Sequence, residues 1–306
     1  MSIPFRREDP LPPGAVEEIA PGLRRIVCAN PGPFTFRGTN TYLIGRGGDV
    51  AVLDPGPEGA AEHHAAILRA TEGERITRIL VSHTHHDHSR GVPGLVAALG
   101  ARGIGSVPTH GFGPHMTPAS EGGEGGDHDF VPDVRLADGA VLEGSEWRLT
   151  ALHTPGHCAN HLCFALEMDG ISGVLFSADH VMAWSTTVVS PPDGDMSAYM
   201  ESLAKLAARG EADRLYLPGH GPRLPEPHAY VSALAAHRRE REAMVLEALR
   251  KAGPGTTAEA LVPPVYGPEL DPRLVRGAAR SLLAHLLKLE REGLVARDGP
   301  GWAATR

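Results

Sequence analysis

Residues 82–91 read Ser-His-Thr-His-His-Asp-His-Ser-Arg-Gly and place His83, His85, Asp87 and His88 within six positions. Imidazole nitrogens with a carboxylate suit zinc, manganese or iron, and no cysteine lies close enough to make a thiolate site. In an extended segment residues i and i+2 point the same way, so His83 and His85 can grip one ion. Asp87 and His88 lie beyond the turn and point towards a second ion. The apolar run Ile79-Leu80-Val81 before them reads as a buried strand that delivers the loop to a sheet edge.

This stretch resembles the His-x-His-x-Asp-His signature of the metallo-β-lactamase superfamily, and the further residues that signature requires follow in order. His157 sits in Thr-Pro-Gly-His after an apolar strand at 147–152. Asp179 closes Phe-Ser-Ala-Asp after 174–176, and His220 sits in Leu-Pro-Gly-His-Gly after 215–217. The resemblance implies one metal on His83, His85 and His157, a second on Asp87, His88 and His220, and Asp179 bridging them. It further implies two divalent ions, zinc first with manganese or iron as alternatives. They would share a bridging hydroxide made by lowering the pKa of water from about 15.7 towards 7. Asp87 is the expected catalytic carboxylate, orienting that nucleophile. His88 stands where the resistance enzymes of the superfamily carry cysteine, which points away from lactam substrates. Glyoxalase II shares the motif, but Gly-Pro-Arg follows His220 here in place of its usual Glu-Tyr.

The rest of the chain must hold these loops. With 306 residues, 42% of them hydrophobic, it can build one large core and a smaller domain. A Pro- and Gly-rich arm at 4–22 is expected to be irregular. Residues 23–27, 40–44 and 50–53 read as an antiparallel meander. Asp54, in Asp-Pro-Gly, is expected to cap nearby backbone rather than bind metal. A helix at 58–71 is expected to leave His63 and His64 on its surface, and a short helix covers 94–99. Residues 109–130 read as a long Gly-rich lid or solvated loop, holding His110, His115 and His128 too loosely to ligate. Strand patterns return at 131–136, 141–143, 147–152, 163–166 and 174–176, with Asp138-Gly and Asp169-Gly as hairpin turns. An amphipathic helix at 196–208 leads into 215–217. The resemblance implies an α/β (α+β) chain folded as a four-layer αβ/βα sandwich over residues 1–227. His161, Trp184 and Thr186 are expected at the substrate pocket, His161 either donating to a substrate oxygen or supporting a ligand. His180 neighbours Asp179 on a strand and so faces away.

Residues 228–306 change character. A helix at 229–251, a capping-box-like Thr256-Thr-Ala-Glu, a break at Pro263-Pro264, a Leu-rich helix at 272–292 and a hairpin over 293–304 outline a winged helix. This C-terminal helical, winged-helix-like domain resembles that of the lactamase-beta-like subgroup, which includes endoribonucleases and some thioesterases. The net charge of −8 disfavours a dedicated nucleic-acid binder. Arg238, Arg239 and Arg241 alternate with Glu240 and Glu242 and read as a solvated, salt-bridged face. Cys28, Cys158 and Cys163 read as buried thiols. The opening residues hold no apolar h-region and no run approaches 18 apolar residues, so a cytoplasmic protein without a membrane span is expected. The leading function is a dinuclear metal-dependent hydrolase acting on a small ester or thioester. A single-stranded RNA endonuclease is the alternative within that chemistry. From another class comes a winged-helix nucleic-acid-binding or regulatory protein with a non-catalytic metal site. A homo-oligomer is compatible with each.

Overall fold

The computed structural model describes residues 3–117 and 126–305. Two sheets lie face to face. The first has seven strands in chain order: β1 (Val16–Ala20), β2 (Leu23–Val27), β3 (Asn40–Arg46), β4 (Asp49–Leu53), β5 (Ile76–Leu80), β6 (Thr109–Gly111) and β7 (Val134–Arg135). The pairs from β1 to β4 are antiparallel, and those from β4 to β7 are parallel. Helices α1 (Ala61–Ala70), α2 (His86–Ser89) and α3 (Val92–Ala101) make the connections. The second sheet runs β8 (Val141–Glu143), β9 (Trp147–His153), β10 (Leu162–Met168), β11 (Ile171–Ala178), β12 (Leu215–Pro218) and β13 (Leu224–Pro225). Helix α4 (Met196–Ala207) joins the parallel pair β11–β12.

Alternation along the strands builds the layers. On β3, Tyr42 and Ile44 enter the core between the sheets while Leu43 faces α1 and α3. On β10 and β11, Leu162, Phe164, Val174 and Phe176 point into that same central core, while Cys163 and Leu175 face α4. Burying one such Phe or Leu contributes about 1.5–3 kcal/mol, and helix, sheet, sheet and helix give four layers. Helix α5 (Pro227–Ala252) packs Tyr230, Val231 and Leu234 on the outer core of the second sheet. Its other end, Val245 and Leu249, joins α6 (Val262–Tyr266), α7 (Pro272–Arg291), β14 (Val295–Asp298) and β15 (Gly301–Ala304) in a separate core. Among the described residues no helix is long and apolar enough to cross a membrane.

Several expectations need correction. The arm contains β1, because residues 16–20 pair with β2. Asp138-Gly is no hairpin turn: β7 and β8 belong to different sheets, so this segment crosses between them. Asp169-Gly does turn the β10–β11 hairpin. Thr256-Thr-Ala-Glu opens no helix, and Pro263-Pro264 instead occupy the first turn of α6, where missing amide hydrogens cost nothing. His63 and His64 are buried, since α1 turns both towards the sheet. His63 Nε2 meets Thr41 Oγ1 at 2.7 Å and His64 Nε2 meets the Pro55 carbonyl at 3.2 Å. Arg238 is buried too: its guanidinium lies over the Tyr199 ring and donates to the Thr187 carbonyl. Arg241 donates to the Val265 carbonyl at 2.7 Å and covers Tyr266. The long stems of both arginines follow apolar surface, which charge alternation does not reveal. Within the loop 109–130, residues 118–125 lie outside the described residues. His110 belongs to β6 and is buried, while His128 is exposed. His115 is held by a 3.0 Å contact to Thr84 Oγ1.

One brace ties the arm to the far sheet. Arg25, 3% exposed, donates to Asp9 at 2.8 and 3.0 Å and to the Gly221 carbonyl at 2.9 Å. Removing Asp9 takes away the two-point partner of this buried guanidinium and leaves only Glu17, 2.8 Å from its Nε, to balance the charge. Asp9→Ala is therefore expected to lower the unfolding free energy by about 3 kcal/mol, measured by denaturant titration. A change below about 1 kcal/mol would contradict this account.

Candidate metal centre

The parallel pairs β4–β5 and β11–β12 end at one rim, and the loops leaving them carry the chemistry. The segment after β5 bears His83 and His85 and then turns through α2, which presents Asp87 and His88. His157 follows β9, Asp179 follows β11 and His220 follows β12. The loop of His220 is pinned by the start of β3: the Asn40 amide N–H donates to the Gly219 carbonyl at 2.7 Å, and Asn40 Nδ2 donates to the carbonyls of Pro218 and Gly221. Gly219 has to be glycine, since a Cβ there would lie 2.3 Å from Asp179 Oδ1.

The outer partners of the imidazoles decide where their lone pairs point. Ser82 Oγ donates to Asp54 Oδ2 at 2.7 Å, so it accepts from His83 Nδ1 at 3.0 Å. His157 Nδ1 donates to the Val188 carbonyl at 2.7 Å, His220 Nδ1 to the Gly38 carbonyl at 3.2 Å, and His88 Nδ1 to Asp54 Oδ2 at 2.9 Å. Each of these four rings therefore turns Nε2 inward. His83 Nε2 and His157 Nε2 converge on His85 Nδ1 at 3.0 and 2.9 Å. His88 Nε2 and His220 Nε2 approach to 3.3 Å. Asp179 lies between the two sets, 3.7 Å from His157 Nε2 and 3.4 Å from His220 Nε2, and among the described residues its buried Oδ1 has no hydrogen-bond partner. Asp87 Oδ2 stands 3.1 Å from His220 Nε2. Nitrogens with lone pairs packed this closely, beside an unpartnered carboxylate oxygen, fit divalent cations. Among the described residues four groups, His83-His85-His157, His83-His88-Asp179, Asp87-His88-His220 and His85-Cys158-Asp193, each have the reach to hold one, so Cys158 lies closer to the centre than the sequence implied.

Electrostatics divide the cluster. Burial, followed by the neighbouring imidazoles, pushes His83 well below the ordinary histidine range and His85 down to about 3, so both are neutral. Burial also opposes charge on His220, but Asp179 and Asp87 outweigh it and raise the ring to about 10. His88 moves upward likewise, burial being overcome by Asp87, Asp179 and Asp54. Asp179 and Asp87 are held well below the usual carboxylate range, the nearby histidines overcoming the cost of burial.

The other expected residues are placed differently. His161 is fully buried and its Nε2 accepts the Asp179 amide N–H at 3.2 Å, so it supports the Asp179 backbone. Trp184 stacks on Phe36 at 5.1 Å and bears on Gly221. Neither these two nor Thr186 lines the cleft above the cluster, because the chain after Asp179 folds Met182 and Val188 towards it instead. His180 packs against Tyr199, away from the cluster. Asp54 does cap backbone, accepting the Ser82 N–H at 2.8 Å. It also orients His88, a role that Asp-Pro-Gly signals only as a turn. The cleft, about 520 Å³, has His85, Asp87, His157, Asp179 and His220 on one side and Arg273, Arg276 and Arg280 of α7 opposite. Nothing in the sequence relates α7 to the metal loop.

Two outcomes follow for metal binding. Loading the metal-free chain with zinc at pH 7 displaces protons from His88 and His220, so calorimetry in buffers of different ionisation enthalpy should register net proton release, with affinity rising between pH 6 and 8. Asp54→Ala should weaken zinc binding about 10- to 100-fold through loss of the His88 partner, as read by chelator competition.

Known proteins share the fold and the domain order of this chain. Residues 34–220, more than half of the chain, match the metallo-beta-lactamase superfamily, and residues 257–302 match the beta-lactamase associated winged helix domain. An atrochrysone carboxyl ACP thioesterase of Aspergillus chevalieri is 32% identical over 271 residues, 85% of this chain and 78% of that protein. A beta-lactamase-like protein 2 homolog of Drosophila melanogaster is 31% identical over 289 residues, 91% of each chain. The crystal structure of a beta-lactamase domain protein from Burkholderia ambifaria superposes with a TM-score of 0.79 at 27% identity, covering 98% of this chain and 97% of that one. Through its histidine–aspartate centre, its paired sheets and its C-terminal winged helix, the chain belongs to the metallo-β-lactamase superfamily of hydrolases, whose members generally bind divalent metals.

Proposed function

We propose that the chain is a dinuclear metal-dependent thioesterase. His83, His85 and His157 hold one divalent ion, Asp87, His88 and His220 hold the other, and Asp179 lies between them. The observation that carries this reading is the inward turn of four Nε2 atoms whose Nδ1 partners are all committed outside the cluster. An oxygen and nitrogen donor set without thiolate suits zinc first. When bound, such ions polarise a scissile carbonyl and make a nucleophile of water near neutral pH.

The side chains of the protein supply the rest. Asp87, a quarter exposed, lines the cleft and is positioned to accept a proton from the attacking water at a carboxylate oxygen. Phe34, Met182 and Val188 give the cleft an apolar side for an acyl group. Arg273, paired with Asp271 at 2.7 Å, lines the cleft together with Arg276 and Arg280. The name of the Aspergillus relative, a thioesterase acting on an acyl carrier protein, supports the thioester class. Arg238 and Arg241 are committed to the Thr187 and Val265 carbonyls, so neither stands in a solvated cationic face for RNA.

Zinc-loaded protein is expected to release thiol from acyl thioesters, followed with a thiol-reactive dye, and Asp87→Ala should reduce the rate about 10²- to 10⁴-fold with the circular dichroism unchanged. Cleavage of single-stranded RNA by the same preparation, lost in Asp87→Ala and with no thioester turnover, would overturn the reading.

A further inference from the structure

Among the described residues, one wall of the cleft carries two buried polar atoms with no hydrogen-bond partner, His115 Nε2 and Asp193 Oδ2. Their side chains are 1% and 8% exposed. The remaining polar atoms of both side chains are committed. Asn160 Nδ2 donates to the carbonyls of Pro114 at 3.2 Å and Gly113 at 3.4 Å, which fixes the orientation of the amide, and to Thr84 Oγ1 at 2.7 Å. Thr84 Oγ1 lies 3.0 Å from His115 Nδ1, and the Asp193 carboxylate facing Nε2 favours the tautomer in which Thr84 donates to Nδ1 and the ring N–H sits on Nε2. Burial lowers the pKa of His115, which favours the neutral ring. Thr117 donates to Asp193 Oδ1 at 2.8 Å, leaving Oδ2 as an acceptor.

The wall therefore presents one donor and one acceptor 3.9 Å apart. That gap is too wide for a mutual hydrogen bond, yet a single oxygen can reach both. The oxygen must accept from His115 and donate to Asp193, which is what a hydroxyl does. A carboxylate there would be repelled by Asp193, an amide N–H would leave His115 unpaired, and a methylene would leave both unpaired at about 1–3 kcal/mol each. The pair is adjacent to the reaction centre: the Asp193 carboxylate lies within 4.8 Å of a His85 ring nitrogen.

We propose that His115 and Asp193 form a hydroxyl-recognition pair that selects acyl thioesters carrying a hydroxyl close to the scissile carbonyl. This rests on the thioester reading of the neighbouring centre and adds the class of acyl group. Burial of two hydrogen-bonding partners makes the selection strong, because an analogue without the hydroxyl desolvates both and satisfies neither.

The test uses the zinc-loaded full chain with N-acetylcysteamine thioesters of butanoate, 2-hydroxybutanoate and 3-hydroxybutanoate. One hydroxylated substrate is expected to exceed butanoyl by about tenfold or more in kcat/KM, about one hydrogen bond's worth of discrimination. His115→Phe and Asp193→Asn should bring that ratio close to one, mainly through KM, while His115→Gln, which keeps a donor, should retain part of it. Equal turnover of all three by the wild type, or a preference untouched by His115→Phe, overturns the proposal. Binding of the corresponding ketones, in which methylene replaces the thioester sulfur, is measured by calorimetry beside these assays. A hydroxyl preference in binding that His115→Phe abolishes upholds the pair even if no thioester is turned over, a result that would count against the thioester reading alone. Equal binding of hydroxylated and plain ketones counts against the pair.

Discussion

The structure depends on packing five imidazoles and two carboxylates, most of them buried and His85 and Asp87 half-buried, at one rim of a sandwich. Unpaired, such a group of polar atoms would be among the most costly features a core can contain. Here the cost is managed from outside the cluster. Ser82, Asp54, Val188 and Gly38 each take an Nδ1 proton, and that choice alone turns the opposite nitrogens inward. The cluster is thus organised from its outer side, by residues of which Ser82, Asp54 and Gly38 stand off the cleft, with Asp54 the most connected of them.

This arrangement constrains the scaffold. Parallel pairing at β4–β5 and β11–β12 brings strand ends from both sheets to the same rim, so loops far apart in sequence meet there. Asn40, Tyr42 and Arg25 on the first sheet all donate to carbonyls of the His220 loop on the second. Those bonds lock the sheets in relative position, and the distances across the cluster follow from that lock. Close approach also explains the glycines that are needed: Gly219 lies beside Asp179 and Gly221 beside Trp184.

The winged helix takes part in the same architecture. Arg291 of α7 pairs with Asp195 at the start of α4 at 2.5 Å, and Arg280 donates to Ser190 at 2.9 Å. These contacts carry the arginine-bearing face of α7 across the cleft from the histidines. A fold element often used on nucleic acid here forms a wall of a hydrolase cleft, which fits the general point that fold alone does not assign a role.

The residues that meet at the centre were legible in the sequence because their spacing is local: His83, His85, Asp87 and His88 share one loop, and His157, Asp179 and His220 each follow a short apolar strand. The period-2 runs also marked β2, β3, β4, β9, β10 and β11, since alternation reports which faces of a strand are buried. What surrounds the ligands was not legible. His63, His64, His115 and Arg238 look like solvated residues when read along the chain, yet all are buried by partners distant in sequence. His161, Trp184 and Thr186 lie near ligands in sequence but off the cleft, because direction at a strand end is set by packing and not by proximity. By itself the sequence determined the donor types, their order and the hydrolase chemistry they allow. Only the tertiary structure decided which nitrogen of each ring faces inward, what lines the cleft, and that α7 closes it, because hydrogen-bond partners and packed faces exist only once distant segments have met.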